Sequence, residues 1–270
     1  MVVKKITENG DQPKKLREGE AGVNQLMENL RVVLVATRNP LNMGAAARAM
    51  SNFGALHLRV VKPYEKAYRE AVSAVGASAV MKTAEEFATV SEAIADCVLV
   101  VGTTAVGNRD VRQPLLSLPE AAREIRQRME KSRVAMLFGS EKRGLSNDDM
   151  SYCHWLLQIP TREEHRSMNL GQAAAVCLYE LSQGEIGKSK LENGNPGTTE
   201  GMQFAKMETV ERIAETWLEA LQRSGYVGAR AKATSQAKLR RMLRRFTWKE
   251  SDAEVVLGMM KKIVAKLKKE

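Results

Sequence analysis

The sequence predicts an α/β protein: a mostly parallel sheet with helices on both faces, followed by a small all-helical extension. Short apolar runs rich in β-branched residues alternate with helical patterns up to residue 183. A stretch rich in Gly, Asn, Thr and Ser follows, and only helical periodicity comes after it. We therefore expect a tail at 1–28, an α/β domain at 29–183, a linker at 184–203 and the helical extension at 204–270.

Six short apolar runs are predicted to be strands, and the amphipathic segments between them are predicted to be helices. The strands are RVVLVA (31–36), HLRVV (57–61), AVMKT (79–83), CVLVVGTT (97–104), RVAMLFG (133–139) and WLLQIP (155–160). The helices are 42–53, 66–75, 85–95, 119–130, 146–152 and 168–182, and in the extension the segment from 207 to 225, 233–246 and 251–268. Alternation of this kind is typical of a parallel sheet covered on both faces.

The composition excludes several classes of protein. Residues 1–28 are polar and charged without periodicity, which predicts a loosely ordered tail. No apolar run approaches the roughly 20 residues of a membrane span, and the start has no signal-peptide core, so we expect a cytoplasmic protein. Cys97, Cys153 and Cys177 lie far apart without CxxC spacing and are expected to be buried thiols rather than a disulfide or zinc site.

The charge is unevenly distributed. The chain has a formal net charge of +10, which favours a polyanionic partner such as RNA or DNA. Basic residues concentrate in one part of the extension: Arg230, Lys232, Lys238, Arg240, Arg241, Arg244, Arg245 and Lys249. This segment would bind a nucleic-acid backbone, or it is the solvated face of a structural appendage.

The loop after the first strand, NPLNMGAAARAM, is unusual. A helix beginning near Asn42 would bury one stripe of apolar residues, namely Met43, Ala46, Ala47, Met50 and Phe53. Arg48 falls on another face among small side chains, which leaves room for a ligand to approach its guanidinium. Taken alone, Arg48 is either a solvated helix residue or a functional one.

Two further strand ends lead into polar loops, where ligands bind in open α/β sheets. In FGSEKRGLS (138–146) a charged turn carries Glu141, Lys142 and Arg143, and Gly144 permits backbone conformations closed to other residues. In IPTREEHRSMNLGQAAAV (159–176) a polar loop enters an alanine-rich helix. There Ser167 or Asn169 could simply be a helix N-cap.

Common enzyme signatures are missing. The sequence contains no GxGxxG fingerprint, no GxxxxGK[ST] phosphate loop and no GxSxG elbow. The three histidines, His57, His154 and His165, are scattered and suggest neither a zinc site nor a triad. A dinucleotide enzyme, a hydrolase and a metalloenzyme are all disfavoured.

Taken in order, the three loops resemble the three motifs of the SpoU (TrmH) class of SPOUT RNA methyltransferases, over about residues 30–183. The matches are Asn42-x-Gly44-Ala-x-x-Arg48-Ala-Met50, Phe138-Gly139-x-Glu141-x-x-Gly144-Leu145, and Ile159-Pro160 followed by Ser167-Met168-Asn169-Leu170. Class members usually have Ser-Leu-Asn in the third motif. Replacement of Leu by Met conserves volume and polarity.

The resemblance implies S-adenosylmethionine as cofactor, RNA as substrate, methylation of a ribose 2'-hydroxyl, and no catalytic metal. It also implies a deep trefoil knot, the SPOUT α/β knot, and a homodimer whose active site is completed across the interface. Catalytic residues would be Arg48, Asn42, Glu141, Ser167 and Asn169. Cofactor-binding residues would be Thr103, Thr104, Ala105, Gly139, Ile159, Arg166, Ser167 and Met168. RNA-binding residues would be Arg48, Arg143, Arg240, Arg241, Arg244 and Arg245.

Finer features suggest the substrate. Four features resemble those of the class members that methylate nucleotide 32 in the tRNA anticodon loop. They are the sequence GAAARAM, VGTTA at 101–105, GLSND and the helical extension. A ribosomal RNA methyltransferase, a catalytically silent RNA-binding protein of this fold and a helix-turn-helix transcription regulator are the alternatives. Because a guanidinium gives up its proton reluctantly, we expect Arg48 to hold a phosphate and stabilise alkoxide charge rather than act as a base.

Overall fold

A computed structural model describes residues 26–73, 78–105, 112–183 and 203–268. The predicted tail and linker lie outside these ranges, except for residues 26–28 and 203. The described residues form a seven-stranded, all-parallel sheet with strand order β3-β2-β1-β6-β4-β7-β5. Its strands are β1 Leu30–Val35, β2 His57–Val61, β3 Glu85–Phe87, β4 Leu99–Thr103, β5 Leu115–Ser117, β6 Val134–Phe138 and β7 Trp155–Gln158.

Helices follow most strands, as the alternating pattern predicts. In the α/β region they are α1 Pro40–Asn52, α2 Glu65–Ser73, α3 Ala79–Lys82, α4 Val90–Ala93, α5 Leu118–Met129, α6 Asn147–Ser151 and α7 Leu170–Ser182. In the extension they are α8 Met207–Arg223, α9 Lys232–Arg244 and α10 Glu250–Leu267. Among the described helices, none is long and apolar enough to cross a membrane.

The sheet is covered on both faces, which confirms the predicted α/β class. Strand β1 is buried along its whole length, and successive side chains enter opposite cores. Val32 and Leu34 join the core beneath α1, α5 and α7. Val33 and Val35 join the core beneath α4, α8 and α9. The extension therefore forms part of the layer on the second face.

Two local predictions are wrong, and one strand was not predicted. AVMKT is the short helix α3 rather than a strand, because Ser78 Oγ caps it by accepting from Met81 N at 3.2 Å. The segment 85–95 is not one helix, since it holds strand β3 and then α4, which begins at the capping box of Thr89 and Glu92. Strand β5 has only three residues, which are half-buried or exposed at the sheet edge, so no apolar run marks it.

A buried ion-pair cluster fastens the extension to the α/β domain. The Glu211 carboxylate of α8 accepts from Arg240 Nε at 2.6 Å and from Arg244 Nη2 at 3.3 Å. Arg240 Nη1 also lies 3.3 Å from Asp148 Oδ1 in α6, and its guanidinium stacks 4.1 Å from the Tyr152 ring centroid. Buried charges are tolerated only when they are paired and hydrogen-bonded in this way.

This cluster corrects one predicted RNA surface. Arg240 and Arg244 are buried, with only 8% and 3% of their surface exposed. They are therefore structural ion-pair partners rather than accessible RNA contacts. On the same helix Arg241 is half-buried, and Arg245, just after its end, is exposed. Of the four arginines in the extension that were predicted to bind RNA, Arg241 and Arg245 are therefore the two that are not buried.

Replacing Glu211 by Gln should destabilise the protein by about 3 kcal/mol, because it leaves two buried guanidinium groups without their carboxylate. Urea unfolding followed by circular dichroism measures this free energy. The matched control is Glu219→Gln, since Glu219 makes its ion pairs with Arg223 and Lys268 at the surface. Equal midpoints for the two variants would contradict the structural role of the cluster.

Candidate functional site

The three polar loops that follow β1, β6 and β7 meet at the carboxyl edge of the sheet. Strands β1 and β6 are direct neighbours, so the first two loops leave the sheet side by side. The first turns through Ala36, whose φ of 53° lies in the left-handed region, where a non-glycine residue is strained. The third loop arrives through α7, which packs on α1 and brings its first residues to the same edge.

The carboxylate of Glu141 joins the first two loops. Its Oε2 accepts from the backbone N–H of Arg38 at 3.2 Å, and its Oε1 accepts from the backbone N–H of Asn39 at 3.1 Å. Oε1 also accepts from Asn42 Nδ2 at 3.1 Å. Asn39 in turn caps α1, because its Oδ1 accepts from Leu41 N at 2.9 Å. One side chain therefore holds the entrance of the first helix against the β6 loop.

The third loop is joined through Asn169. Because the Glu141 carboxylate can only accept, the Asn42 amide must turn its Nδ2 towards it, which leaves Asn42 Oδ1 to accept from Asn169 Nδ2 at 2.8 Å. Asn169 Oδ1 then accepts from Gly171 N at 2.9 Å and caps α7. The N-cap interpretation of Asn169 is confirmed, and the same side chain also contacts the first loop.

Small residues make these close approaches feasible. A Cβ at Gly171 would lie 2.6 Å from the Cβ of Ala45, so glycine allows α7 to approach α1. A Cβ at Gly139 would lie 2.0 Å from the backbone carbon of Gly144, whose own φ is 64°. The glycines of the second motif therefore fold the β6 loop back on its strand.

The pKa of the Glu141 carboxyl lies below its ordinary value. Burial acts to raise this pKa, but hydrogen bonds from its own backbone N–H and from the Asn42 amide outweigh burial. The backbone N–H groups of Arg38 and Asn39 add to the lowering. The structure thus favours the ionised carboxylate that the hydrogen-bond chain requires.

A cavity of about 310 Å³ lies among the exits of β4, β6 and β7. All eight residues predicted to bind a cofactor line it: Thr103, Thr104, Ala105, Gly139, Ile159, Arg166, Ser167 and Met168. Apolar side chains of Phe138, Leu145 and Leu157 form part of its wall. Apolar walls with loop backbone at the rim suit a planar heteroaromatic ring whose edge makes polar contacts.

A larger cleft of about 1200 Å³ lies beside this cavity. Asn42 and Glu141 line one side of it, and Thr234, Ala237 and Arg241 of α9 line another. Its basic side chains are Arg38, Arg112, Lys142, Arg143 and Arg241. The loop from Ser140 to Gly144 lines both spaces, so the cavity and the cleft share a wall.

The predicted site residues are brought together to different extents. Asn42 and Glu141 line the cleft, Ser167 lines the cavity, and Asn169 hydrogen-bonds to Asn42. Arg48 is exposed on α1 and lines neither space, and among the described residues no hydrogen bond or ion pair to its side chain occurs.

Sequence reasoning missed several lining residues of the cleft: Arg38, Arg112, Gln113, Thr234 and Ala237. Arg38 could have been found, because it follows a buried strand directly. The α9 residues carry no such signal, since only tertiary packing brings that helix to the cleft. Within the described ranges, no three His, Cys, Asp or Glu side chains are grouped so that they could hold a metal ion.

Comparison with known proteins identifies the class to which this α/β fold and its three joined loops belong. The model of the SpoU rRNA Methylase family matches residues 29–179, more than half of the chain. The chain belongs to this family.

Relatives that match beyond this region are more specific. The chain is 31% identical over 239 residues to the "tRNA (cytidine/uridine-2'-O-)-methyltransferase TrmJ" of Yersinia pestis (strain Pestoides F), covering 88% of this chain and 92% of that protein. For the protein of the same name from Salmonella choleraesuis (strain SC-B67), the identity is 32%, covering 88% and 97%. The crystal structure of TrmJ from Z. mobilis ZM4 matches with a TM-score of 0.72 and 30% identity, over 86% of this chain and 98% of that one.

Glu141→Gln should reduce stability at neutral pH and have progressively less effect in acid. A carboxyl whose folded pKa is depressed contributes stability above its unfolded pKa of about 4.3, and this contribution is lost as the pH falls through the folded value. Unfolding free energies of wild type and variant between pH 7 and pH 3 test this. Glu130→Gln, on the exposed end of α5, controls for the loss of one carboxylate. A difference that stays constant with pH would contradict the proposed hydrogen-bond chain.

Proposed function

We propose that this chain transfers the methyl group of S-adenosylmethionine to a ribose 2'-hydroxyl of tRNA, at a pyrimidine in anticodon-loop position 32. The observation that carries the proposal is the chain from Glu141 through Asn42 to Asn169, which joins three motif loops where a cofactor-sized cavity meets a basic cleft. Membership of the SpoU family and similarity to TrmJ over 88% of the chain support it. We expect the protein to act in the cytoplasm.

The residues around the smaller cavity fit S-adenosylmethionine. Adenine needs an apolar slot with backbone groups at its edge, and the loops at 103–105, 139 and 159 supply both. Ser167 and Met168 would close the other side, and Arg166 would neutralise the cofactor carboxylate. When bound, the cofactor supplies a methyl group already activated by its sulfonium.

The basic cleft suits the RNA. Arg38, Arg143 and Arg241 line it and would bind phosphates, which position a substrate without reading its sequence. Because the loop from Ser140 to Gly144 lines both the cleft and the cavity, a ribose held in the cleft would lie next to a cofactor held in the cavity. Alignment of two bound reactants is the main task in an in-line methyl transfer.

The proposed function includes a homodimer in which Arg48 of one subunit completes the active site of the other. On α1, Leu41 is 80% exposed, and Arg48 is exposed about two turns later on the same face, while Tyr179 on the adjoining α7 is 53% exposed. This mixed face would pack against a second copy, and Arg48 would then enter the partner's cleft. There its guanidinium would hold a phosphate and stabilise the developing alkoxide of the ribose oxygen.

The chain would also form the trefoil knot that the resemblance implies. The resemblance places it in the segment after β7, where the chain would thread through a loop before α7. Two features support it: α7 returns to pack against α1, and the loop before α7 lines the cofactor cavity.

Methyl transfer to RNA tests the function directly. Purified protein is incubated with labelled S-adenosylmethionine and either bulk tRNA or ribosomal RNA, and labelled nucleosides are mapped by mass spectrometry. We expect 2'-O-methylcytidine or 2'-O-methyluridine at position 32 of tRNA. Label only in ribosomal RNA would favour the second candidate, which the description of the family model suggests. Label in neither RNA would refute the proposed methyltransferase activity.

Arg48→Ala should lower kcat on tRNA by about 100-fold, since loss of one donor to developing negative charge typically has this effect. Arg48→Lys should recover only part of the rate, because an ammonium group cannot form the two-pronged contact. Affinity for S-adenosylmethionine should not change. Arg69→Ala, an exposed arginine of α2, is the control. Wild-type kcat in Arg48→Ala would exclude a catalytic role.

Mixed dimers test whether the site is shared. Arg48→Ala is refolded with Ser167→Tyr, which blocks the cofactor cavity, after each variant has been shown to be inactive alone. If Arg48 serves the partner's cavity, roughly a quarter of wild-type activity returns, since half of the dimers are mixed and one of their two sites is intact. No recovery, with mixed dimers verified by differential tagging, would place Arg48 in its own subunit's site.

A further inference from the structure

A third cavity, of about 190 Å³, lies at the amino ends of β4 and β7, away from the carboxyl edge that carries the catalytic loops. One water molecule needs only about 15 Å³ of such space, so this cavity is far larger than a single ion or water molecule requires. The extension and α5 supply most of its chemically distinctive lining: Arg128, Phe204, Arg244, Arg245, Phe246 and Trp248.

The aromatic rings that line this cavity are held by neighbouring side chains, and one of them is exposed. The Arg128 guanidinium lies 4.0 Å from the centroid of the Phe204 ring. Phe246 packs edge-on against Trp248, with centroids 5.7 Å apart and ring planes at 66°. Phe246 itself remains 54% exposed. An exposed aromatic ring held by another ring beside arginines offers a face to a planar ligand.

Charges around the cavity favour an anionic ligand. Arg128, Arg244 and Arg245 line it, whereas Glu124 is the one acidic residue among the described residues that line it. Arg244 is almost fully buried, and its Nε–H has no hydrogen-bond acceptor among the described residues. Burial lowers the pKa of Arg128 and lowers that of Arg244 to about 10. Arg244 already pairs with Glu211, so the exposed guanidinium of Arg245 is the one that an anionic group of a ligand would contact.

Two arginines at the end of α9 line the basic cleft and the third cavity respectively. Arg241 lines the cleft, and Arg245, four residues later and about one helical turn or 6 Å further along, lines the cavity. The two side chains are close enough that the charge of Arg245, after burial and the charge of Arg112, lowers the pKa of Arg241. A strand of phosphates leaving the cleft would therefore meet Arg245 next.

We propose that this cavity binds one unpaired nucleotide of the RNA substrate, at a distance from the methylated ribose. Its base stacks on Phe246, and its phosphate pairs with Arg245. Unpaired bases of RNA are bound in this way, by an aromatic face together with an arginine. The inference rests on the proposed function for the identity of the substrate. The cavity's role would be to position the RNA and not to take part in methyl transfer.

Phe246→Ala and Arg245→Ala test the site, each compared with a matched control outside both spaces. Tyr226→Ala removes an exposed aromatic ring, and Lys262→Ala removes an exposed positive charge of α10. We expect the Kd for tRNA and the KM to rise about tenfold in Phe246→Ala, because stacking of one base contributes on that order. Both should also rise in Arg245→Ala, because this variant loses a phosphate contact. The value of kcat and the affinity for S-adenosylmethionine should not change, and Phe246→Trp should restore tRNA affinity. Circular dichroism melts establish that each variant is folded.

Several outcomes separate this site from the proposed function. If Phe246→Ala binds tRNA as the controls do, the nucleotide site is refuted even though methylation proceeds. If no RNA is methylated by any variant, but tRNA binding by fluorescence anisotropy still depends on Phe246 and Arg245, the site stands and the enzyme proposal fails. Cytidine monophosphate is tested alongside. Binding of this nucleotide that depends on Phe246, with tRNA affinity unaffected, would overturn RNA as the occupant in favour of a free nucleotide.

Discussion

The Glu141 carboxylate is the constraint on which the rest of the site depends. It can only accept hydrogen bonds, so it determines the orientation of the Asn42 amide, and Asn42 in turn determines the orientation of Asn169. This single chain of contacts holds the entrances of two helices and the β6 loop at one edge of the sheet. Because the β6 loop separates the cofactor cavity from the basic cleft, the position of Glu141 also sets where the two reactants would meet.

The carboxylate of Glu211 holds the extension in place, as that of Glu141 holds the loops. Glu211 receives two arginines in a buried cluster that also reaches Asp148 of α6, which follows the β6 loop. The basic segment is thus not a separate appendage in the described structure, since it forms one wall of the cleft. Burial of Arg240 and Arg244 holds α9 in place, and this placement is what brings Arg241 to the cleft.

Much of the fold could be predicted from sequence, for identifiable reasons. The central strands carry continuous apolar runs because both faces are buried, and β1 shows this most clearly. The edge elements could not be predicted, since three-residue strands such as β3 and β5 have no pattern long enough to be recognised. The eight residues that were predicted by motif to bind a cofactor line one cavity, although they are far apart in sequence. The positive charge of α9 could be read from the sequence. Which of its arginines are buried depends on their pairing with Glu211, and only the tertiary structure shows that pairing.

Isothermal titration of S-adenosylmethionine into wild type and Glu141→Ala measures the dependence of the cofactor cavity on this carboxylate most directly. Removal of the Glu141 side chain should free the first and second loops from each other while leaving the other side chains that line the cavity intact. We predict that affinity falls by at least about tenfold, or ~1.4 kcal/mol, and that Glu130→Ala binds as wild type does. An unchanged Kd in a folded Glu141→Ala variant would contradict the central role assigned to this side chain.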